Sequence, residues 1–305
     1  MEKLLINDIP LSDLGAVLAP DSYKSVLTWA KFKSIQSNDW AEYNFAEYDL
    51  SKPTLDRRTV TLNFHANGED GYKRLMGYLL QYVYSFYEFP ELGVTLRMRA
   101  DTNSLNHLGK WQSFSVTFYD DAPYFQVSPS LSEMHLANTG YTLDGVDLSR
   151  YGIAILKDTI KTLMQKQGVK ERLTISENSM DGAIYDGKAY PTEADVIFKS
   201  GTFTLKCLIR AQNLVSVVRN YYYLYNLLRQ GGTRRIYVKE LDETIECFYN
   251  QCTVNNVHKE LASGFAGIAA DVSFTIVRRK IVTVLGTDNN NKALITNDNK
   301  FLIGD

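Results

Sequence analysis

The sequence predicts an α+β fold that is mainly β, with two tandem antiparallel β-sandwich or barrel domains that each carry one amphipathic helix. Two observations predict this fold. The same order of elements occurs twice, first from about Leu4 to Tyr119 and again from about Leu143 to Arg279. Within each copy, strand patterns of period two surround one long aromatic-rich stripe with the spacing of a helix.

The internal repeat is visible as short segments that match between the two copies. Three pairs of segments correspond, with offsets of 137, 143 and 158 positions: Leu11–Val17 with Leu148–Ala154, Thr59–Leu62 with Thr202–Leu205, and Phe114–Phe118 with Val272–Ile276. The growing offset is expected if insertions collect at surface turns of the second copy. A duplicated domain without an evident catalytic motif favours a structural function.

The first copy alternates strand and turn signals and contains one helical stripe. Its predicted elements are a strand Lys3–Ile9, a strand Ser25–Ser37, a turn Ser37–Asp39, a hairpin arm Trp40–Leu50, a strand Arg57–Ala66, a helix Tyr72–Phe89, and strands Val94–Ala100 and Trp111–Tyr119. Asp70 is expected to cap the helix, and Pro90 is expected to stop it.

The second copy is predicted to repeat this order. Its elements are a strand near Val146, a short helix Leu156–Gln165, a strand Glu171–Ser176, a turn-rich excursion Glu177–Pro191, a strand Ala194–Ile209, a helix Asn213–Gln230 ending at Gly231-Gly232, and strands Arg235–Glu240, Glu243–Cys252 and Ala266–Val277. We therefore predict a first domain at 1–123, a linker at 124–142, a second domain at 143–279 and a β appendage at 280–305.

The composition is that of a globular protein and excludes several classes. The chain has 305 residues, with 45% hydrophobic and 22% charged residues, so it can bury two cores. Its net charge of -2 provides no overall basic face for nucleic acid. No segment approaches the roughly 20 apolar residues of a membrane span, and the first apolar run is too short for a secretory signal.

The residue types that carry metal or cofactor chemistry do not form a recognisable pattern. The histidines are scattered: His65, His107, His135 and His258. Cys247 and Cys252 lie five positions apart, which is the wrong spacing for a zinc pair. Together with Cys207 they make an odd number, so we expect buried free thiols and a chain made in a reducing cytoplasm.

Other candidate sites also have simpler interpretations. Asp120 and Asp121 are adjacent on a strand and should point to opposite faces, which argues against one shared carboxylate site. The segment Asp288–Asn291 lacks the alternating ligands of a calcium loop and is interpreted as a turn. The basic clusters are interpreted as solvated strand ends in preference to a polyanion contact: Arg57-Arg58, Arg234-Arg235 and Arg278–Lys280. We predict no catalytic, cofactor-binding or metal-binding residues, and no enzyme.

Aromatic residues leave a second function open. The chain contains 20 Tyr and 14 Phe, which suit either subunit contacts or half-exposed sheets. A carbohydrate- or surface-binding β-sandwich would use Trp29, Trp40 and Trp111 as stacking platforms, although core packing is the simpler role for each of them. An enzyme whose site escapes motif analysis is the remaining alternative.

The opening Ile9–Gly15 and its second version Val146–Gly152 resemble the start of distal tail proteins of bacteriophages. The order of elements, closing on Ser113–Phe118, is similar to the tail-tube fold shared by tail-tube, distal tail and baseplate hub proteins, and the resemblance covers about residues 3–279. In this family the sandwiches join edge to edge in a closed ring. A typical distal tail protein has one such domain followed by a different module, whereas duplication resembles hub proteins in which a trimer of doubled domains mimics a six-fold ring.

The resemblance implies a non-enzymatic component of a phage or prophage tail, located in the virion after synthesis in the bacterial cytoplasm. It would form a trimeric or hexameric ring at the junction of tube and tip, contact other tube and baseplate proteins, and let DNA pass without specific binding. Pairing of strand edges round a closed axis would also protect those edges from aggregation. The excursions Asp39–Leu55 and Glu177–Pro191 are the expected cross-subunit arms.

Overall fold

The computed structural model describes residues 2–40, 45–101, 113–123, 136–159, 161, 201–261 and 264–277. These residues form two curled antiparallel sheets of seven strands each, together with a separate two-stranded hairpin. The predicted fold class is therefore confirmed: the chain is mainly β, with two tandem β units. Below, the first half means the described residues up to 123, and the second half means those from 136 to 277.

The first half contains nine strands and two α-helices among its described residues. The strands are β1 Leu5–Ile6, β2 Ile9–Pro10, β3 Ala16–Leu18, β4 Ser37–Trp40, β5 Phe45–Tyr48, β6 Arg58–Ala66, β7 Ser85–Phe89, β8 Val94–Ala100 and β9 Ser113–Asp120. The helices are α1 Ser22–Leu27 and α2 Gly68–Gln81. The sheet order is β2-β1-β7-β8-β9-β6-β3, while β4 and β5 pair with each other as the hairpin.

The second half repeats this arrangement. Its strands are β10 Tyr141–Leu143, β11 Val146–Asp147, β12 Ile153–Ile155, β13 Thr202–Ala211, β14 Arg234–Val238, β15 Glu243–His258 and β16 Ala266–Ile276. Its long helix is α3, Leu214–Leu228, which is capped by the side chain of Asn213 as that residue accepts from the N–H of Ser216. The sheet order β11-β10-β14-β15-β16-β13-β12 matches the first sheet strand for strand.

The strand registers show which residues of the halves correspond. Ala16 pairs with Ala66 in the first sheet, and Ile153 pairs with Ile209 in the second, which reproduces the offsets of 137 and 143. The closing strands differ from the sequence match. Val60 faces Phe118, and its counterpart Phe203 faces Phe274. The true offset there is 156 positions, so the predicted 158 is wrong by two residues, a shift that leaves the same faces buried.

Local hydrogen bonds repeat as well. Asn7 accepts the N–H of Phe86 on its side-chain oxygen at 2.8 Å, and Asp144 accepts the N–H of Arg235 in the same way at 2.9 Å. Both acceptors lie in two-residue hairpin turns at positive φ, 49° for Asn7 and 50° for Asp144. Asn and Asp tolerate this left-handed region better than most residues, which fits their place in such turns.

A second repeated device anchors the chain after the third strand of each sheet. The Ser22 hydroxyl donates to the carbonyl of Asn63 at 3.4 Å and accepts the N–H of that residue at 3.3 Å. In the second half the Thr159 hydroxyl makes the same two bonds to Lys206, at 3.0 and 2.9 Å. Ser22 begins α1, and Thr159 is also helical, so both halves start a helix at this point.

The predicted helix Tyr72–Phe89 is wrong in its second part. Helix α2 ends at Gln81, and the chain then forms strand β7 over Ser85–Phe89. Aromatic residues satisfy both periodicities here, and pairing with β1 and β8 selects the strand. Asn67 stands at the N-cap position that was predicted for Asp70, which lies in the first turn instead.

The predicted strand Ser25–Ser37 is also wrong. Its first residues belong to α1, and the predicted turn Ser37–Asp39 is part of strand β4. The hairpin arm itself is present as β4 and β5. The predicted strands around β6, β8, β9, β14 and β16 and the helix at α3 are found within a few residues of their expected bounds. Strand β15 continues six residues beyond the predicted end, to His258, and the predicted start of the strand at β13 lies outside the described residues.

Several predictions fall outside the described residues, namely the strand Glu171–Ser176, the excursion Glu177–Pro191 and the appendage 280–305. Most of the predicted short helix Leu156–Gln165 does too, although Asp158, Thr159 and Lys161 are helical. The domain boundaries at 123, 142 and 279 remain predictions. The core of each half lies between its curled sheet and its long helix, where alternate strand residues are buried.

Candidate assembly interface between the two halves

Trp29 of the first half lies in an aromatic pocket of the second half. Its ring centroid is 4.5 Å from that of Tyr221 and 4.9 Å from that of Tyr225, both on α3. Tyr249 of β15 meets the indole edge-on at 5.7 Å. The Trp29 side chain is 2% exposed, so the pocket is closed around it. Aromatic contacts of this kind bury large areas and prefer such offset geometries.

The hydroxyl groups of these tyrosines bind the main chain of the first half. Tyr221 donates to the carbonyl oxygen of Leu27 at 2.9 Å. Tyr225 and Tyr249 both donate to the carbonyl oxygen of Ala30, at 3.1 and 3.2 Å. Burial raises the pKa of Tyr221 well above its ordinary value, so the phenol stays protonated as a donor. Tyr221 thus satisfies a carbonyl group that the end of α1 leaves without a helical partner, and the other two tyrosines satisfy one in the segment that follows α1.

A buried ion pair lies beside this pocket. Arg58 binds Asp120 at 2.8 Å, and both side chains are almost fully buried. The Arg58 guanidinium also donates to the carbonyl of Val26 at 2.9 Å. Burial raises the pKa of Asp120, an effect that the charge of Arg58 opposes. Arg58 therefore fixes the end of α1 that Tyr221 and its neighbours hold from the other side.

Two further contacts extend the interface. Glu91 of the first half forms an ion pair with Lys259 of the second half at 2.5 Å and accepts a hydrogen bond from the Tyr23 hydroxyl at 2.8 Å. Gly93 lies against Val215 at the start of α3, where a Cβ would approach the valine to 2.9 Å. The turn between β7 and β8 is therefore part of the contact between the halves.

The hairpin arm reaches the second half as well. The Tyr48 ring packs on Phe248 of β15 with centroids 5.0 Å apart. After the arm, the carbonyl of Leu50 accepts the N–H of Gly232 at 2.9 Å. Gly231 lies so close that an added Cβ would be 2.9 Å from the same oxygen. The two glycines therefore admit the first half's main chain beside the end of α3.

Several residues that the sequence suggested for ligand stacking or charge chemistry lie at the contact between the halves or in ion pairs. Trp29 is a core residue of the interface, Trp40 lies in β4, and Trp111 lies outside the described residues. Asp120 and Asp121 belong to separate ion pairs, since Asp121 binds Arg99 at 2.6 Å. The interpretation of Arg57-Arg58 as solvated strand ends is wrong for Arg58. It falls on the inward face of β6, together with the buried positions that follow it at every second residue.

No group of three or more potential metal ligands occurs among the described residues. His65 lies on the surface, where its Nδ1 is 2.7 Å from the Ser113 hydroxyl, while His107 and His135 fall outside the described residues. Cys207, Cys247 and Cys252 are free and buried. None of the helices within the described residues combines the length and the hydrophobicity that spanning a lipid bilayer requires.

Sequence reasoning identified the tyrosine stripe of α3 but did not assign it to contact with the other half. The usable signal is its composition, since tyrosines at positions 221, 222 and 225 put three hydroxyl groups on the apolar side of one helix, and buried hydroxyl groups require hydrogen-bond partners. Their counterparts in the sequence of α2 include Leu75, Met76 and Leu79, which are typical core residues.

Comparison with known proteins gives little. No family model matches the chain, and no curated protein matches it. Among solved structures, the chain is similar to the SPP1 Dit (gp 19.1) protein, whose crystal structure is described as a paradigm of the hub adsorption apparatus in phages that infect Gram-positive bacteria. The two chains are 8% identical, the TM-score is 0.30, and the match covers 90% of this chain and 98% of that one.

Proposed function

We propose that this protein is a non-enzymatic structural component of a phage or prophage tail, which assembles into a ring around a DNA channel where the tube meets the tip. The observation that carries the proposal is the asymmetric packing of two halves with the same topology. The first half contributes α1, Trp29 and the hairpin arm. The second half contributes α3 and β15.

By topology, β8 of the first half corresponds to β15 of the second, and α2 corresponds to α3, so we propose that another copy packs against α2 and β8. The second-half counterparts of α1, Trp29 and the hairpin arm lie mostly outside the described residues. Repetition of one head-to-tail contact between copies gives a closed ring when the rotation closes, and a filament when it does not. A chain with two similar units is thus suited to build a ring with twice as many units as chains.

The segment after β12 begins in the same way as the segment after β3, which leads into α1. Thr159 repeats the anchoring bonds of Ser22, and Lys161 after it is helical. Leu156 is 41% exposed, whereas Ala19, which stands 137 positions earlier, is buried at 8%. Leu156 is therefore an exposed apolar side chain at this point of the second half, and we propose that it contacts another copy.

The contacts inside the chain refine the expected mode of assembly. Among the described residues, no strand of one half pairs with a strand of the other. The outer strands β2, β3, β11 and β12 have only two or three residues each, so they offer few backbone groups. We therefore propose that helix, turn and arm contacts dominate between copies, with edge pairing as a smaller contribution.

The tail location, the trimeric or hexameric stoichiometry and the partners are carried by the resemblance of Ile9–Gly15 and Val146–Gly152 to distal tail proteins. The net charge of -2 suits a channel that must not retain DNA. For the carbohydrate-binding alternative, Trp29 offers no free ring face, because it is enclosed by tyrosines.

The direct experiment is light scattering after size-exclusion chromatography, followed by negative-stain microscopy of the full chain. We expect a discrete trimer or hexamer whose images are annuli with a central hole. A chain that remains monomeric at about 1 mM would contradict the proposal, because a dissociation constant of that size corresponds to a binding free energy of only about −4 kcal/mol.

A further inference from the structure

The first half carries a cluster of exposed apolar side chains, which we call the β7 patch. Its members lie at the end of α2, in the loop that follows and on β7, and their exposed fractions are 61% for Leu80, 46% for Tyr82, 75% for Val83, 37% for Tyr84 and 57% for Phe86. They are five of the eight large apolar residues that are exposed in the described part of the chain. Contiguous exposed apolar surface of this kind marks interaction sites.

The strand registers identify the equivalent place in the second half. Ser85 begins β7 and pairs with Met98, just as Arg234 begins β14 and pairs with Cys247. Counting from these residues, positions 82, 83 and 84 correspond to 231, 232 and 233, and Phe86 corresponds to Arg235. The patch thus replaces two glycines, a threonine and an arginine of the second half.

In the second half the loop part of this place is occupied, at Gly231 and Gly232, while the Arg235 side chain is exposed. Gly232 donates its N–H to Leu50 of the first half, and Gly231 lies directly against the same carbonyl. The first half therefore seats its own arm on the loop that precedes β14. The equivalent loop before β7 carries Tyr82, Val83 and Tyr84, and these side chains remain exposed in the single chain.

We propose that the β7 patch is the docking surface for the second half of another copy of this chain. The inference rests on the proposed function, because it extends the contact between the halves from one chain to the next. Within one chain, the first half packs beside the loop before β14. The β7 patch is the topological counterpart of that loop. Aromatic residues are enriched at the centres of interfaces, and tyrosines are among the residues that supply most of the binding energy there; the patch contains Tyr82, Tyr84 and Phe86.

One residue of the patch, Tyr84, is fixed by contacts within the single chain. The Tyr84 hydroxyl donates to Asp121 at 2.9 Å, and the Arg97 guanidinium lies 4.4 Å from the centroid of the Tyr84 ring. Arg99 binds the same Asp121 carboxylate at 2.6 Å. A side chain ordered in the free protein loses less entropy on association, so Tyr84 is suited to anchor the contact.

The test compares two variants of the full chain that change the net charge by the same amount. Val83→Glu with Phe86→Glu places two carboxylates in the patch, and we expect self-association to weaken at least about 100-fold, because two buried anchors are lost. Arg235→Glu is the matched control, since it changes the net charge equally at the equivalent position of the second half. It should assemble like the unmodified protein, and all variants should keep the circular dichroism spectrum and melting temperature.

A photocrosslinking residue at Phe86 identifies the partner surface even if the double variant fails to fold. In a mixture of isotopically light and heavy chains, we expect mixed-isotope crosslinks to peptides of the second half. Crosslinks to the first half of the partner, or unaltered assembly of the folded double variant, would overturn the docking proposal while leaving a ring possible. A monomeric unmodified protein would instead contradict the proposed function itself.

Discussion

The indole ring of Trp29 stacks on the phenol ring of Tyr225, with centroids 4.9 Å apart and 21° between their planes. Trp29 follows α1 in the first half, whereas Tyr225 belongs to α3 in the second. The two halves therefore share buried aromatic surface, and the pocket around Trp29 is part of a continuous core. We expect the halves to unfold together because each completes the core of the other.

Trp29→Ala should lower the free energy of unfolding by about 3–5 kcal/mol, since it removes a buried ring and leaves a cavity among three tyrosines. Urea denaturation followed by tyrosine fluorescence and circular dichroism measures this loss. Lys73→Ala is the control, because it removes an exposed ion pair with Glu69 that contributes little. An unchanged midpoint for Trp29→Ala would contradict a contribution of this pocket to stability.

Arg58→Met should cost about 3–5 kcal/mol at pH 7, because Asp120 remains buried without its counter-charge. Burial already raises the pKa of Asp120 above 3.8, and loss of Arg58 should raise it further. The folded variant then binds a proton that the unfolded chain releases, so the cost should shrink as pH falls from 7 toward about 4.

Denaturation at several pH values between 7 and 4 tests the Arg58 prediction. The double variant Arg58→Met with Asp120→Leu should recover much of the lost stability at pH 7, since no unpaired charge is left. A cost for Arg58→Met that does not vary with pH would show that the carboxylate of Asp120 is not its source.

Two glycines of α2 should respond to alanine with opposite signs. A Cβ at Gly71 would overlap the carbonyl of Gly15, which packs against the helix, so Gly71→Ala should destabilise by about 1–3 kcal/mol. Gly77 has nothing within 4 Å of an added Cβ, and Gly77→Ala should stabilise by about 0.5–1 kcal/mol. Melting temperatures of the two variants decide this, and equal shifts would contradict the close approach of α2 to Gly15.

The three cysteines should be unreactive in the folded protein. Burial raises the pKa of Cys207 to about 12, and it raises the pKa of Cys247 and Cys252 as well, so the thiolate form is scarce at neutral pH. A disulfide reagent such as Ellman's should label none of them quickly in buffer and all of them in denaturant. Rapid labelling without denaturant would contradict their burial.

The repeated order of strands and its matching segments are determined by local patterns that survive in the sequence. Period-two alternation in Arg58–Ala66 and the stripe in Leu214–Leu228 specify strand and helix without help from distant residues. The offsets of 137 and 143 follow from the same patterns, because a register shift by one residue would expose a buried face.

Other features were decided by tertiary contacts. The segment Ser85–Phe89 suits helix or strand, and pairing with β1 and β8 makes it a strand. The sequence leaves Trp29 open between core packing and ligand stacking and places Arg58 at a solvated strand end, yet both are buried. The second half supplies the tyrosine rings around Trp29, whereas Arg58 binds Asp120 and the carbonyl of Val26 within the first half. Local sequence determines periodicity and turns, whereas the partner of a side chain depends on residues almost 200 positions away, which only the folded chain brings together.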